Sequence, residues 1–262
     1  MSAKNLLLPG MFSLMTAAAQ AQSPATDAPP WAKLQWSSSA AASRYSEPSI
    51  AMKIAGPELG LHLRMSDLRG LPRLQLEVDG LLGSQRYDSP DGGLNGVRTL
   101  DLRGRALYQL VPTQADRGLY TGLGLQNSYS DLRGNLISGK RGYERLNQSA
   151  WLALQWRQGL NWDSMPSLQS YQFDLGYLLS GRQHSYLSQV GGYWRDATNK
   201  QSSGWYLQLQ GSWLAERGLT LEPYLRYTQV DTSDTVDAGG GRVTEPANKR
   251  WQLGLKATWP AN

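Results

Sequence analysis

Acid, base or nucleophilic chemistry needs side chains that can hold a proton within hydrogen-bond reach of one another, and this chain of 262 residues is thinly stocked with them: two histidines, His62 and His184, and no cysteine. His184 stands directly beside Ser185. On an extended segment neighbouring side chains project to opposite faces, so the pair cannot form the direct hydrogen bond that activates a hydroxyl. His62 lies two positions from Arg64 and four from Glu58, a setting for a structural, hydrogen-bonded imidazole. No His, Cys and carboxylate spacing suits a metal ion, and no glycine-rich loop leads from an apolar strand into a helix to cradle phosphate. No enzymatic activity, metal or cofactor is expected.

What the chain does carry is charge at every second position. Glu58, His62 and Arg64 form one such series, Arg73, Glu77 and Asp79 a second, and Asp101, Arg103 and Arg105 a third, with Arg157, Asp174, Glu222, Arg226 and Lys256 in similar settings. A spacing of two puts these groups on one face of a strand. Both signs are interleaved, so if that face turns into an enclosed space of low dielectric, the charges must pair across strands. Separately, Arg133, Lys140, Arg141 and Arg145 gather in one polar stretch of a chain with net charge +5. Such a cluster is either solvated or meets an anionic surface. With no basic helix and no aromatic stacking platform, nucleic acid is not an expected partner.

The elements that position these residues read as strands. In 248–259, Trp251, Leu253, Leu255, Ala257 and Trp259 alternate with Gln252, Gly254, Lys256 and Thr258. The same alternation recurs in about ten segments, near 32–43, 50–65, 73–87, 97–110, 118–130, 145–158, 169–182, 201–214, 219–230 and 248–259. A kink or bulge is expected at Gly56 and Pro57, and additional extended structure within 183–200. Short connections (near Arg69, Thr113, Asp163 and Glu216) alternate with longer polar ones (near Ser46, Gly92, Gly139, Thr198 and Ala238). Apolar-face aromatics sort into two groups without being fitted: Tyr108, Trp156, Tyr171, Trp213 and Trp259 at short-connection ends, Tyr177, Trp205, Tyr227 and Trp251 at long-connection ends. A soluble sandwich would turn its oily face inward and scatter them; two belts fit a hydrocarbon layer with an interface on each side. The mean hydropathy of -0.47 and the lack of any run near the ~20 apolar residues of a spanning helix exclude a helical membrane protein, not a barrel whose spans are half polar. The expected fold is all-β: a transmembrane up-and-down antiparallel barrel of about ten strands, apolar outside and charged within.

Lys4 precedes an apolar run through Leu6, Leu7, Leu8, Met11, Phe12, Leu14 and Met15, and Ala19-Gln20-Ala21 offers a small-x-small cleavage site. Residues 1–21 therefore read as a signal peptide, 22–30 as a short disordered segment, and 31–262 as one barrel domain. The absence of Cys excludes a lipid anchor on that residue.

On these residues the chain resembles the small outer-membrane β-barrel proteins of Gram-negative bacteria over 31–262, and the segment Arg44-Tyr45-Ser46-Glu47-Pro48 leading to Met52 and Gly60 is similar to their first hairpin. The omptin proteases of similar strand number carry paired acidic residues and an Asp-x-His motif; here His184 follows Arg182 and Gln183. The lipid A deacylases carry His-x-Ser, where this chain has Tyr186. The resemblance implies a monomeric outer-membrane location, contact with lipid and lipopolysaccharide, and insertion by the barrel-assembly machinery, with Trp259 as the terminal aromatic that it reads. The expected function is a non-enzymatic barrel with a mostly occluded, salt-bridged lumen and loops for surface interaction or envelope structure, an extracellular ligand being one partner those loops could take. A narrow, porin-like ion channel is the alternative, and a surface hydrolase a more distant one.

Overall fold

A computed structural model describes residues 32–112, 117–134, 139, 141–160, 167–215 and 218–259. The expected signal peptide 1–21, the segment 22–30 and Lys140 lie outside them. Thirteen strands form: β1 (Lys33–Glu47), β2 (Met52–Ser66), β3 (Leu74–Ser89), β4 (Gly92–Pro112), β5 (Gly118–Asp131), β6 (Glu144–Gly159), β7 (Leu168–Ser185), β8 (Ala197–Gln201), β9 (Gly204–Leu214), β10 (Thr220–Val230), β11 (Thr235–Asp237), β12 (Arg242–Thr244) and β13 (Asn248–Thr258). β1 to β7 pair in sequence, β7 pairs with β9, β9 with β10, β10 with β13, and β13 returns to β1. These ten strands close an antiparallel barrel, so no backbone edge is left to find a partner outside it.

The alternation decides which side faces out. Leu59 (67% exposed), Leu125 (64%) and Leu253 (63%) point away from the barrel, while Gln155 and Asp174 are completely buried inside it. Soluble folds do the reverse. Each outward leucine would forfeit about 1.5–3 kcal/mol in water that a hydrocarbon surround restores, so the exterior is built for lipid and the fold is that of a transmembrane β-barrel.

The aromatic groups lie where the strands end. At the long-loop end Tyr177 stands beside Trp205 in register. Trp205 and Tyr227 have ring centroids 5.0 Å apart, and Tyr227 and Trp251 4.4 Å. At the short-turn end Trp36 stacks on Trp259 at 4.9 Å and Trp156 meets Tyr171 edge-on at 5.4 Å. Tyr108 and Trp213 are exposed at this end, in register with Leu74 and Leu221 at the starts of β3 and β10.

Several local expectations change. At Gly56 and Pro57 there is no bulge: Ala55↔Arg86 and Glu58↔Gly83 keep one register. A Cβ at Gly56 would lie 2.9 Å from Gln85 Cα, so the missing side chain lets β3 approach and the ladder passes without an inserted residue. Bulges fall instead near Gln85, Gln109, Ala150 and Leu168. Two connections expected to be long are tight. β1 reaches β2 through a single 3-10 turn, Pro48–Ile50, with Ala51 at φ 53°, and β3 meets β4 with Ser89 opposite Gly92 at φ 122°. There the loop formers Pro90, Asp91 and Gly92 make a hairpin turn rather than a loop.

The connections 132–143, 186–203 and 231–247 remain long. β7 outruns β9: its residues 181–185 pair with β8 instead, which is the extra extended structure expected in 183–200. The β11–β12 hairpin folds back so that Leu187, Ala197 and Ala238 form a small buried cluster with Tyr143, Val236 and Val243 around it. Asn199 ties this cap together by donating to the carbonyls of Asp234 and Val243 at 2.8 and 3.1 Å.

Candidate functional site: the lumen

A ten-stranded barrel has a bore narrow enough for side chains to meet across it, and the inward faces here carry both signs of charge. Nearest the long-loop end, Arg145 on β6 donates to Glu47 on β1 at 2.6 Å. Those strands are five apart whichever way round the barrel is counted, so the bond spans the bore. Tyr45 also donates to Glu47 at 2.7 Å, and Tyr143 accepts from Arg145 at 2.9 Å.

One layer deeper, Arg250 on β13 bridges Glu58 on β2 (2.6 Å) and Asp101 on β4. Glu58 further accepts from Ser43, Gln85 and Gln252 at 2.7–2.9 Å. Arg103 joins the two carboxylate neighbourhoods, donating to Asp101 at 2.6 Å and Gln252 at 2.8 Å. In the next layer Arg105 on β4 sits between Glu77 on β3 and Asp174 on β7, 3.2 Å from the latter. Glu77 also takes Gln75 at 2.7 Å and Arg64 at 3.0 Å, and Asp174 takes Gln155 and Gln172 at 2.9 and 2.8 Å. Glu47 Oε2 and Arg105 Nε are buried without a partner among the described residues, but every carboxylate in the stack has at least one cation, and removal of one partner from such a set typically costs about 3–5 kcal/mol.

His62 is held at both nitrogens, 2.6 Å from Asp79 and 2.7 Å from Ser39, an arrangement that fixes the ring and leaves neither nitrogen facing open space. Arg226 lies over the Tyr206 ring at 4.1 Å and Lys256 over Tyr224 at 5.5 Å. Arg226 has a single polar contact, to Gln208 at 3.5 Å, and its buried Nε lacks a partner among the described residues. Glu222 accepts from Thr258 at 3.2 Å. Among the described residues Arg157 reaches only amide oxygens, Gln172 at 3.1 Å and Gln155 at 3.4 Å.

Cavities survive at both ends. Toward the long loops a cavity of about 100 Å³ has Glu58, Asp101 and Arg250 beneath it and Tyr45, Ile54, Trp151, Leu178 and Val230 as walls. Toward the short turns a cavity of about 210 Å³ is lined by Gln35, Arg64, Arg157, Gln172, Gln210 and Glu222 together with small polar residues.

Two residues stand elsewhere than their spacing suggests. Arg73 has the inward parity, but β3 begins at Leu74; Arg73 sits exposed in the preceding turn, where its carbonyl accepts from the Gln109 N–H at 2.9 Å. Arg145, grouped with the loop bases, is the second residue of β6 and buried in the bore. Its alternation with Asn147, Ser149 and Trp151 is the signal that would have placed it there. Glu47 and Arg250 also belong to the network although the charge series did not include them: Glu47 was read as part of a turn, and Arg250 shares the parity of Gln252. Outside the bore, Arg133 is exposed and pairs with Asp131 at 2.9 Å and Glu144 at 3.1 Å, neighbours that raise its already high pKa. Arg141 is exposed as well.

His184 and Ser185 face opposite ways. His184 Nδ1 is 2.7 Å from Thr198 Oγ1, and the buried Ser185 hydroxyl donates to Glu245 at 2.8 Å. Among the described residues no group of three His, Cys or acidic side chains is placed to hold a metal ion.

No protein-family model and no curated protein matches the chain. Among solved structures it is similar to the outer membrane protease OmpT from Escherichia coli (11% identity over 87% of this chain and 96% of that one, TM-score 0.47). It is also similar to the β domain of the Bordetella autotransporter BrkA (15%, 87% and 99%, 0.47) and to neisserial surface protein A (13%, 86% and 97%, 0.35). Similarity at this level concerns barrel architecture alone.

Proposed function

We propose that the protein is a non-enzymatic barrel of a bacterial outer membrane, inserted as a monomer by the assembly machinery, whose bore is held shut by its ion pairs and whose outward contacts are made by the long loops. The observation that carries this reading is the stack of bonds across the bore: Glu47 to Arg145, Asp101 to Arg250 and Asp174 to Arg105 join strands three to five apart at three successive depths. A hydrated ion would have to break several charge-assisted bonds at once to pass, and these are the stronger kind. The cap formed by β8, β11, β12 and the Tyr143 loop gives the long-loop end a folded surface, with Tyr193 89% exposed at its rim. That surface, with Arg133 and Arg141 beside it, is suited to lipopolysaccharide phosphates or another acidic extracellular ligand.

Single-channel recording on purified, refolded protein tests the closed bore. No conductance steps are expected from the native chain, and reproducible steps from it would replace the closed reading with a channel. The channel reading has its own support in the two cavities and in Arg226 and Arg157, guanidinium groups with no carboxylate partner among the described residues.

A further inference from the structure

The short-turn cavity differs from the rest of the bore in what its cations touch. Arg157 stacks on Tyr120 with its guanidinium carbon 5.9 Å from the ring centroid, and its only hydrogen bonds among the described residues are to Gln155 and Gln172. Arg64 spends Nε on Glu77 but turns its two terminal nitrogens toward Gln35 and Gln172, both at 3.5 Å, the outer limit of a hydrogen bond. The two guanidinium groups thus converge on one neutral oxygen, Gln172 Oε1. They come from β2 and β6, four strands apart in the ring of ten, and β7, the neighbour of β6, supplies the amide. Two guanidinium groups whose terminal nitrogens meet only neutral amide oxygens among the described residues, beside about 210 Å³ of polar space, are arranged for a guest of the opposite sign.

We propose that this cavity is an oxyanion site that takes a free phosphate or phosphomonoester dianion, with Arg64 and Arg157 each presenting terminal N–H groups to it and Gln35 and Gln172 completing the shell. A guanidinium fork matches the spacing of phosphate oxygens, and two forks neutralise a dianion where one would leave it half-compensated. The one carboxylate in the lining, Glu222, is engaged by Thr258; it opposes a dianion and sets a ceiling on affinity. That makes it an internal control, because its neutralisation must act in the direction opposite to loss of an arginine. The site opens on the short-turn side, away from the cap and from Arg133, so it is distinct from any contact the long loops make.

The test is equilibrium titration of the full chain in detergent micelles with inorganic phosphate, glycerol phosphate and, as a phosphodiester headgroup, glycerophosphocholine. Folding of every variant is checked by heat-modifiable migration. Phosphate and glycerol phosphate are expected to bind the native protein. Arg157→Gln is expected to weaken both by about tenfold or more, the effect of losing a hydrogen bond to a charged group, Arg157→Lys by less, and Glu222→Gln to tighten both severalfold. Absence of phosphate binding to the native chain overturns the site, as does binding that Arg157→Gln leaves unchanged. If Arg157→Gln does not fold, a Glu222→Gln protein that binds phosphate no more tightly than the native one is equally decisive against it. Preferential binding of glycerophosphocholine would reject the free dianion as ligand. Conductance does not enter these measurements, so they succeed or fail independently of the closed-bore reading.

Discussion

The middle of the bore and its short-turn mouth are built from the same residue types and behave as opposites. In the middle, Asp174 has no exposed surface and accepts from Arg105, Gln155 and Gln172, while Glu77 accepts from Arg64, Gln75 and Arg105. At the mouth Arg157 is half-buried and meets amides only. The difference shows that inward charge does not by itself define a pore or a plug. What matters is whether each charge finds its counter-charge across the bore, since desolvation is tolerated only with full pairing.

The contrast is most easily broken from the middle. Arg105→Ala leaves Glu77 and Asp174 buried without their shared cation and is expected to cost about 3–5 kcal/mol, read as a drop in the urea midpoint in lipid vesicles. A loss under about 1 kcal/mol would mean that water replaces the guanidinium and that the middle is not dry. Next in size, Arg145→Met alone strands Glu47, which is 1% exposed, and should approach the same cost. Combining it with Glu47→Met should recover most of that loss, because apolar replacement of a whole buried pair is often neutral; a double variant as unstable as the single one would show that the pair contributes more than mutual compensation. At the mouth, Arg157→Met is expected to cost no more than about 1 kcal/mol, the scale of an ordinary hydrogen bond. A cost equal to that of Arg105→Ala would erase the distinction between the two regions.

Smaller still are the effects outside the bore. Asp131→Asn removes one of the two carboxylate partners of Arg133, whose side chain is 54% exposed, and should change stability by about 0.2–1 kcal/mol or less, shrinking with salt. In the loop before β8, the Asp196 carboxylate accepts from the Ser188 N–H at 3.0 Å, and hydrogen bonding to Ser188 lowers its pKa below the usual carboxylate value. A depressed pKa contributes order above the unfolded value, near 3.9, and loses it as pH falls through the folded one. Protease cleavage of 188–196 should therefore quicken only below about pH 4, and a change starting near neutrality would rule out Asp196 as its cause.

Much of this was legible in the chain. The ten barrel strands match the alternating segments closely, because a side-chain period of two is a local property that needs no partner to be read. The aromatic belts follow for the same reason, with Trp36 joining through its stack on Trp259. Less legible were the places where a strand stops or continues. Arg73 kept the right parity but fell one residue outside β3, and Arg145 kept it inside β6 while looking like loop charge. The tight turns at Pro48–Ile50 and Gly92 were hidden because the residues that favour loops also favour hairpin turns.

The amino-acid order by itself determined which side chains face lipid and which face the bore, since alternation along a strand follows from backbone geometry alone. Which charge meets which was decided only by closing the sheet. Glu47 and Arg145 are 98 positions apart in sequence and Asp101 and Arg250 149 apart, and nothing local relates them. Strand number and register bring each pair to the same depth across the bore, and with that they decide where charges meet counter-charges and where Arg157 meets amides beside a cavity.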